Sequence, residues 1–248
     1  MRPAAGWSEA PSHGIAMPVT VGPIHPPKTE TELFGRARAL AGRRLGDLAT
    51  AIGWKCPADQ KRHKGWTGTL IEAHLGATAG SRSAPDFERI GVELKTVPIS
   101  ARGTPSESTF VATTIMCDFG DLSWESSRVR HKLARVLWVP VQADPAIAMA
   151  DRRIGSPLLW SATPEEEAVL KADWSELMDR VRMGQVDTIS AREGVHLQLR
   201  PKGASSRSRV WGIDENGHRY QTLPRGWYLR AGFTAALLAR NFHITRPA

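Results

Sequence analysis

A chain of 248 residues with 41% hydrophobic and 23% charged residues has the composition of a globular protein, long enough to bury one large core or two smaller ones. Its 33 Lys and Arg against 25 Asp and Glu give a net charge of +8, which favours an anionic partner such as nucleic acid but also fits an ordinary basic enzyme. The sequence has no apolar run long enough to span a membrane, no continuous apolar region at its N-terminus such as a signal peptide has, and no metal-finger spacing of Cys56 and Cys117. We therefore expect a cytoplasmic protein with reduced thiols.

The N-terminal part of the chain changes from a proline-rich segment to helical patterns. Prolines recur through residues 1–28, and proline at this density opposes a regular helix, so a flexible tail is predicted. Thr29 and Glu32 then resemble a capping box ahead of a helix that Gly42 ends. A second short helix is predicted over 45–52.

A basic cluster with glycines and a tryptophan occupies residues 61–68. Its backbone amides and side chains such as Lys64 could hold a phosphate, or the cluster could be only a basic loop before a helix. That helix is predicted over 69–76, and Glu72 lies in its otherwise apolar sequence. Glu72 either points to solvent at the helix edge or faces the next strand and contributes a carboxylate to a site there.

The next strand carries the pattern around which the chain is organised. Val92 and Leu94 are apolar while Glu93 and Lys95 are charged, which predicts a strand whose two charged side chains project to one side. Asp86 lies just upstream, where a turn can bring its carboxylate back to Glu93. Two carboxylates and a lysine suit a divalent cation such as Mg²⁺, with the lysine acting on a water or a phosphate. The alternative is a solvated strand face with an ordinary ion pair.

Two further strands are predicted after the strand that carries the charged pair. The β-rich run 108–115 contains Phe110, which is by default a core residue. The apolar run 136–139 predicts a buried strand, and Lys132 lies just ahead of it. That lysine either approaches the same sheet end as the charged pair or is merely solvated.

From about residue 145 the composition changes and indicates a second lobe. Thr163, followed by proline and glutamates, is typical of a helix start, and the helix is predicted to end near Gly184. The remaining predicted elements are a strand at 194–199, an exposed Ser/Arg-rich loop at 205–209, a short strand or turn at 226–230 and a closing helix at 234–242.

Several blocks, taken in order, resemble the MutH family of DNA mismatch-repair endonucleases, whose catalytic core is related to type II restriction enzymes. The resemblance extends from about residue 29 to residue 244 and is far more specific than the carboxylate–lysine pattern alone. The segment 211–220 matches nothing diagnostic. The blocks that carry the resemblance are 64–66, 70–72, 91–96, 129–133, 155–160, 199–202 and 223–228.

The resemblance implies an α/β, restriction endonuclease-like fold, with a mixed central sheet flanked by helices. It implies a catalytic lobe at 29–144, a DNA-recognition lobe at 145–248, and a DNA-binding cleft formed by the two. It also implies an enzyme, a Mg²⁺-dependent DNA endonuclease that nicks the strand lacking adenine methylation at GATC sites. The alternatives are a GATC-specific type II restriction endonuclease that cuts both strands and a DNA-binding module that has lost catalysis.

Catalytic roles carry over from the family residue by residue. Asp86 and Glu93 correspond to the metal ligands, and Lys95 to the catalytic lysine. Glu72 corresponds to the family's additional active-site acid, and Lys132 to its second lysine in the catalytic region.

DNA-contacting roles and partners are implied in the same way. Lys64 corresponds to a DNA-contacting lysine, and Arg200 and Lys202 to the loop that reads bases in the major groove. Phe110 corresponds to an aromatic that packs against the DNA, and Tyr228 to the tyrosine that senses adenine methylation. The implied partners are double-stranded DNA with hemimethylated or unmethylated GATC, and MutL, with MutS acting indirectly. We expect a monomer in solution and no membrane partner.

Overall fold

The computed structural model describes residues 24–58, 65–80, 82–203, 205 and 207–242. Most of the predicted tail, residues 1–23, and the predicted DNA-contacting Lys64 lie outside the described residues. Within the described ranges, no helix combines the length and apolar character needed to cross a membrane.

The described chain contains helices wherever the sequence predicts them, and one more. Helix α5 begins with a complete capping box, in which Thr163 and Glu166 each accept a backbone N–H from the other residue. At α1, Thr29 accepts the N–H of Glu32, whereas Glu32 accepts the N–H of Lys28. The helices are α1 Glu30–Leu40, α2 Leu45–Ala51, α3 Trp66–Leu75, α4 Arg128–Leu133, α5 Pro164–Arg182 and α6 Ala231–Phe242.

The strands include all those predicted and three that the sequence analysis did not identify, namely β4, β6 and β7. The predicted strand 92–95 is the start of a longer one, and the short strand or turn at 226–230 is a regular strand. The strands are β1 Glu93–Ile99, β2 Thr109–Thr113, β3 Val136–Gln142, β4 Leu158–Trp160, β5 Leu197–Pro201, β6 Val210–Ile213, β7 Arg219–Thr222 and β8 Arg225–Leu229.

A mixed three-stranded sheet in the order β1-β3-β4 carries the carboxylate–lysine pattern. Strands β1 and β3 run parallel, with Glu93 opposite Val136, while β3 and β4 are antiparallel. Strand β1 is therefore at an edge of this sheet. Helices α1 to α3 contribute to the buried cluster that contains Leu94 of β1, together with Leu33, Leu70 and Ile71, and this packing fixes the position of β1.

A second sheet is antiparallel, with the order β2-β8-β5, so that β8 is its central strand. The register of β2 against β8 shifts between Phe110 and Ala112, as at a β-bulge. On one face the buried Trp227 ring stacks on Trp174 of α5 at 6.4 Å between centroids. Strands β6 and β7 form a separate two-stranded ribbon in the connection from β5 to β8.

The chain divides into two compact units that are interleaved in sequence. Among the described residues, one unit contains those up to Ser106, those of Arg135–Trp160 and those from Leu237 to Phe242; the other contains those of Glu107–Ala134 and Ser161–Ala236. The predicted lobes, with their boundary between 144 and 145, do not coincide with these units, because each lobe contributes to both. The α/β class and the mixed sheet are confirmed, whereas the cleft between lobes stays a prediction.

Candidate functional site

In the charged pair on β1, Glu93 is buried and Lys95 is largely withdrawn from solvent. Lys95 Nζ donates to Glu93 Oε1 at 2.7 Å, and the side chains are 12% and 3% exposed. Their spacing of two residues places both on one side of the strand, as predicted. Removing two charges from water carries a free-energy penalty of several kcal/mol per ion, which an ordinary surface ion pair does not incur. The alternative of a solvated strand face is therefore wrong for this pair.

A tight turn returns Asp86 to the edge of β1. Phe87 pairs with Val92 in an isolated antiparallel bridge, and Gly91 turns the chain with a positive φ of 66°. The Asp86 carboxylate accepts the N–H of Leu94 at 2.8 Å. That amide lies between Glu93 and Lys95 in sequence, on the edge of β1 that has no neighbouring strand in this sheet. The turn thus brings the predicted second carboxylate to the strand that carries the charged pair.

Glu72 approaches the same strand from α3. A methyl group built at Gly68, one turn earlier on α3, would lie 3.9 Å from both Glu72 Oε1 and Thr96 Oγ1. The carboxylate of the half-buried Glu72 and the hydroxyl of Thr96, which follows Lys95, therefore both lie close to Gly68 beside β1. Of the two alternatives for Glu72, the structure favours the orientation toward the strand. Its role as a catalytic acid stays a prediction.

Lys132 is a half-buried residue of α4, in the unit formed by Glu107–Ala134 and Ser161–Ala236. Its predicted part in catalysis stays a prediction. So does the DNA contact of Lys64, which lies outside the described residues.

The carboxylates beside β1 have the donor chemistry that Mg²⁺ requires. Asp86 and Glu93 both offer hard carboxylate oxygens, and no nitrogen or sulfur ligand accompanies them in the predicted set. Among the residues that the structure describes, no three His, Cys, Asp or Glu side chains converge as a cage for a metal ion. A two-carboxylate set still fits Mg²⁺, which keeps several waters and is completed by substrate phosphates.

The second candidate region is one face of the antiparallel sheet. Side chains alternate along β8, so the buried Trp227 points to the core and Tyr228 to the opposite face. Tyr228 pairs with Phe110 on β2 and with Gln198 on β5. Gln198 is buried and donates to Ser108 Oγ at 2.6 Å. The face is therefore polar and aromatic, in contrast to the apolar face behind it.

Four predicted DNA-contacting residues meet on this face. The Arg200 guanidinium carbon lies 5.3 Å from the centroid of the Tyr228 ring, and Lys202 Nζ lies 4.7 Å from that of Phe110. The two rings contact each other edge to face, with centroids 5.3 Å apart. Phe110 is half-buried within this group rather than a core residue. Both cations are exposed, and each lies within cation–π distance of an aromatic ring.

Tyr228 keeps its hydroxyl hydrogen at neutral pH. Burial raises the pKa of Tyr228 above its ordinary value, the nearby Arg200 charge acts in the opposite direction, and Glu107 adds to the increase. The phenol is therefore neutral and able to donate a hydrogen bond. Cationic donors beside a neutral donor–acceptor can make the hydrogen bonds that base edges offer in the major groove.

A buried carboxylate missed by the sequence analysis orients β5. Asp173 of α5 is 5% exposed and accepts three backbone N–H groups at the start of that strand. The donors are Val195 at 2.8 Å, His196 at 2.6 Å and Leu197 at 2.8 Å. The available signal was a carboxylate among the apolar positions of an amphipathic helix, since a buried charge requires partners.

A second missed cluster anchors the β6–β7 ribbon to β8. Asp187 accepts from Tyr220 Oη at 2.8 Å, from Thr222 Oγ1 at 3.3 Å and from the Arg225 guanidinium at 3.0 Å. Burial acts to raise the pKa of Asp187, but the hydrogen bonds from Tyr220 and Arg225 outweigh it and hold the pKa below its usual range. The ionised carboxylate thus links residues of β7 and β8.

Comparison with known proteins gives one consistent result. Residues 75–173 match the family model described as DNA mismatch repair enzyme MutH. The DNA mismatch repair protein MutH of Yersinia enterocolitica serotype O:8 / biotype 1B is 55% identical over 220 residues, which is 89% of this chain and 96% of that protein. The proteins of the same name from Yersinia pestis (strain Pestoides F) and Yersinia pseudotuberculosis serotype O:1b are each 54% identical over 220 residues, with the same coverage.

Proposed function

This chain belongs to the MutH family of DNA mismatch-repair enzymes, and we propose that it is the endonuclease that uses Mg²⁺ to nick the unmethylated strand at GATC sites. The observation that carries the proposal is the buried Glu93–Lys95 pair at 2.7 Å, with the Asp86 carboxylate bonded to the amide between them. A desolvated charged group of this kind carries a free-energy cost, and such groups are concentrated at functional sites.

The residues beside β1 supply the parts that phosphodiester hydrolysis needs. Asp86 and Glu93 would hold Mg²⁺, which activates water and offsets charge on a phosphate when bound. Lys95, fixed by Glu93, would orient the attacking water or balance the charge that grows on the phosphate. The water's hydroxyl joins phosphorus, and its remaining proton ends on the oxygen that leaves. Glu72 and Lys132 would assist as a further acid and a further cation.

The face built on β5 and β8 supplies the sequence selection. Arg200 and Lys202 would donate to guanine O6 and N7, the usual partners of these side chains in the major groove. The neutral Tyr228 phenol would meet the N6 edge of adenine, where a methyl group removes a hydrogen or clashes. Phe110 would pack against the DNA beside it. In this proposal Tyr228→Ser erases the preference for unmethylated strands more than it weakens binding.

The alternatives receive less support. A restriction enzyme that cuts both strands is not favoured, because the three relatives described above are named as mismatch-repair proteins. An inactive DNA-binding module would gain nothing from Asp86 and Glu93, because carboxylates near phosphates are unfavourable without a compensating cation. Family membership also supports a contact with MutL, with MutS acting indirectly, and a monomeric cytoplasmic enzyme.

The proposal is tested by incubating the protein with Mg²⁺ and GATC plasmids that are unmethylated, hemimethylated or fully methylated, with and without MutL. We expect nicks confined to unmethylated strands and stimulated by MutL. Asp86→Ala should abolish nicking and retain DNA binding. Rapid double-strand cleavage indifferent to MutL would favour the restriction enzyme, and binding without cleavage the inactive module.

A further inference from the structure

We call the sheet face that carries Phe110, Arg200, Lys202 and Tyr228 the reading face. A glycine occupies the central strand of that sheet, β8. Gly226 lies in β8 between Arg225 and Trp227, and it pairs with Thr113 on one side and Arg200 on the other. Glycine weakens a strand interior, where it costs more backbone entropy and packs nothing. No left-handed backbone conformation explains it, because Gly226 is not among the positive-φ glycines of the described chain. The presence of glycine here is explained instead by the side chains that pack against this position of β8.

That space is filled by two side chains of the reading face. A methyl group at Gly226 would lie 2.9 Å from Phe110 Cε2, closer than real side-chain carbons approach. It would also lie 3.1 Å and 3.2 Å from Lys202 Cβ and Cγ. The Phe110 ring and the stem of Lys202 therefore rest directly on the backbone of β8.

The contacts continue from there to the other reading residues. Lys202 Nζ lies 4.7 Å from the centroid of the Phe110 ring, and that ring contacts Tyr228 edge to face with centroids 5.3 Å apart. The Arg200 guanidinium carbon lies 5.3 Å from the centroid of the Tyr228 ring. Because each member positions the next, a displacement of Phe110 changes the place of Tyr228. Side chains held in the bound geometry before DNA arrives avoid the ordering cost of binding.

We propose that Gly226 is a specificity-determining positioning residue: the absence of its side chain seats Phe110 and Lys202 on β8 and thereby sets the geometry in which the four side chains read bases. The inference rests on the proposed function, since it assigns Gly226 to the selection of GATC. Gly226 touches no base itself and acts through Phe110 and Lys202.

The packing part of the inference is tested without DNA. The chain contains two tyrosines, Tyr220 and Tyr228, so the full-length protein labelled with ¹³C in its tyrosine rings gives two sets of ring signals, assigned with Tyr220→Phe. In Gly226→Ala, the Tyr228 signal should shift because the Phe110 ring moves, while the Tyr220 signal stays in place. An unchanged Tyr228 signal would overturn the inference.

The reading part is tested by binding, with Ca²⁺ in place of Mg²⁺ to prevent cleavage. The measured quantity is the ratio of the Kd for a duplex with one changed base pair to the Kd for a GATC duplex. Gly226→Ala should reduce this ratio roughly tenfold, the range of one lost base contact, with the affinity for the changed duplex preserved. Equal loss of affinity for both duplexes would instead indicate general misfolding and overturn the inference.

Two further variants make the result specific. Gly232→Ala is the matched control, because a methyl group there, on the exposed side of α6, meets nothing within 4 Å. It should change neither the tyrosine signals nor the ratio. In a Phe110→Ala background the ring that clashes is gone, so adding Gly226→Ala should reduce the ratio less than about threefold, whereas independent sites would add in full.

The outcomes separate this inference from the proposed function. A wild-type protein that does not prefer GATC would contradict the proposed function, and with it the reading role of Gly226. A wild-type protein that prefers GATC while Gly226→Ala keeps the full ratio would overturn the inference alone.

Discussion

The two candidate regions hold their cations in opposite ways. Beside β1, Lys95 is buried and bonded to a carboxylate, whereas Arg200 and Lys202 on the second sheet are exposed and lie over aromatic rings. A carboxylate fixes a lysine and also neutralises it, which suits a group that must stay in register with metal ligands. An aromatic ring positions a cation while leaving its full charge for another partner. In the proposed function, the first arrangement serves a reaction and the second serves binding.

The largest effect should come from removing the buried cation. Lys95→Met keeps the length of the side chain and loses its charge, so nicking should fall about a thousandfold while DNA binding persists. Because Glu93 loses its buried partner, the free energy of unfolding should also decrease, by about 3 kcal/mol. Both are measured on one preparation, by plasmid nicking and urea unfolding.

Lys171→Met is the matched control for that variant. Lys171 forms an ion pair with Glu125 at the same 2.7 Å, but both side chains are more than half exposed. Its loss should cost less than about 1 kcal/mol and leave nicking intact. Equal effects of the two variants would contradict the distinction between a buried reactive pair and a surface pair.

The reading face also depends on a buried carboxylate, and Asp173→Ala tests this. Three backbone N–H groups at the start of β5 would lose their acceptor, so the free energy of unfolding should fall by about 3 kcal/mol or more. Asp179→Ala, on the exposed side of the same helix, should cost less than about 0.5 kcal/mol. Similar melting curves for the two variants would exclude the proposed role of Asp173.

A smaller and more selective effect is expected for an exposed cation of the reading face. Arg200→Ala should lower the preference for GATC over a changed duplex by about 1–3 kcal/mol and leave the fold intact, because in the proposed function the lost group contacts a base. Arg192→Ala removes an exposed arginine from the same unit and should leave the preference unchanged. Competition binding at fixed salt measures both, and a uniform loss across sequences would assign Arg200 to phosphates instead.

The smallest effect is in the pH dependence of strand choice. Since burial holds the pKa of Tyr228 above its ordinary value of 10.0, the phenol stays protonated and the preference for unmethylated strands should be constant from about pH 7 to 9. The folded state holds this proton more tightly than the unfolded chain. Its stabilising effect is therefore complete below pH 10 and lost as pH rises through the folded pKa. A preference that declines between pH 7 and 9 in wild type but not in Tyr228→Phe would contradict this.

Sequence reasoning succeeded where the chemistry is local. The alternation around Glu93 and Lys95 predicted their shared side of β1, and the turn after Asp86 spans only a few residues, so local pattern was sufficient. The start of the helix at Thr163 was likewise predicted from four consecutive residues, 163–166. What no pattern supplied was the desolvation of the charged pair, because burial depends on the helices and strands that cover β1.

The missed features all join distant parts of the chain. Asp173 bonds amides 22 to 24 residues away, and the Asp187 carboxylate collects donors 33 to 38 residues away. The role of Gly226 depends on one side chain from β2, Phe110, and on one that directly follows β5, Lys202. A strand as short as β4 was missed for another reason, because it has too few residues to show the alternation of apolar and polar side chains that predicts a strand. The sequence resemblance marked the blocks that contain β4 and Gly226. The contacts that give these residues a physical role appear only in the folded chain.

The interleaving of the two units has a consequence for the order in which the protein can be completed. Parallel strands require a crossover, and the crossover from β1 to β3 contains β2 and α4, which belong to the other unit. The hydrogen bond from Glu93 N to Arg135 O, and with it the β1–β3 ladder, can form only after those residues leave the ribosome. A prematurely terminated chain ending before Arg135 thus lacks a finished catalytic sheet. During synthesis, the β1–β3 sheet therefore forms only after β2, the first strand of the β2-β8-β5 sheet, has been made.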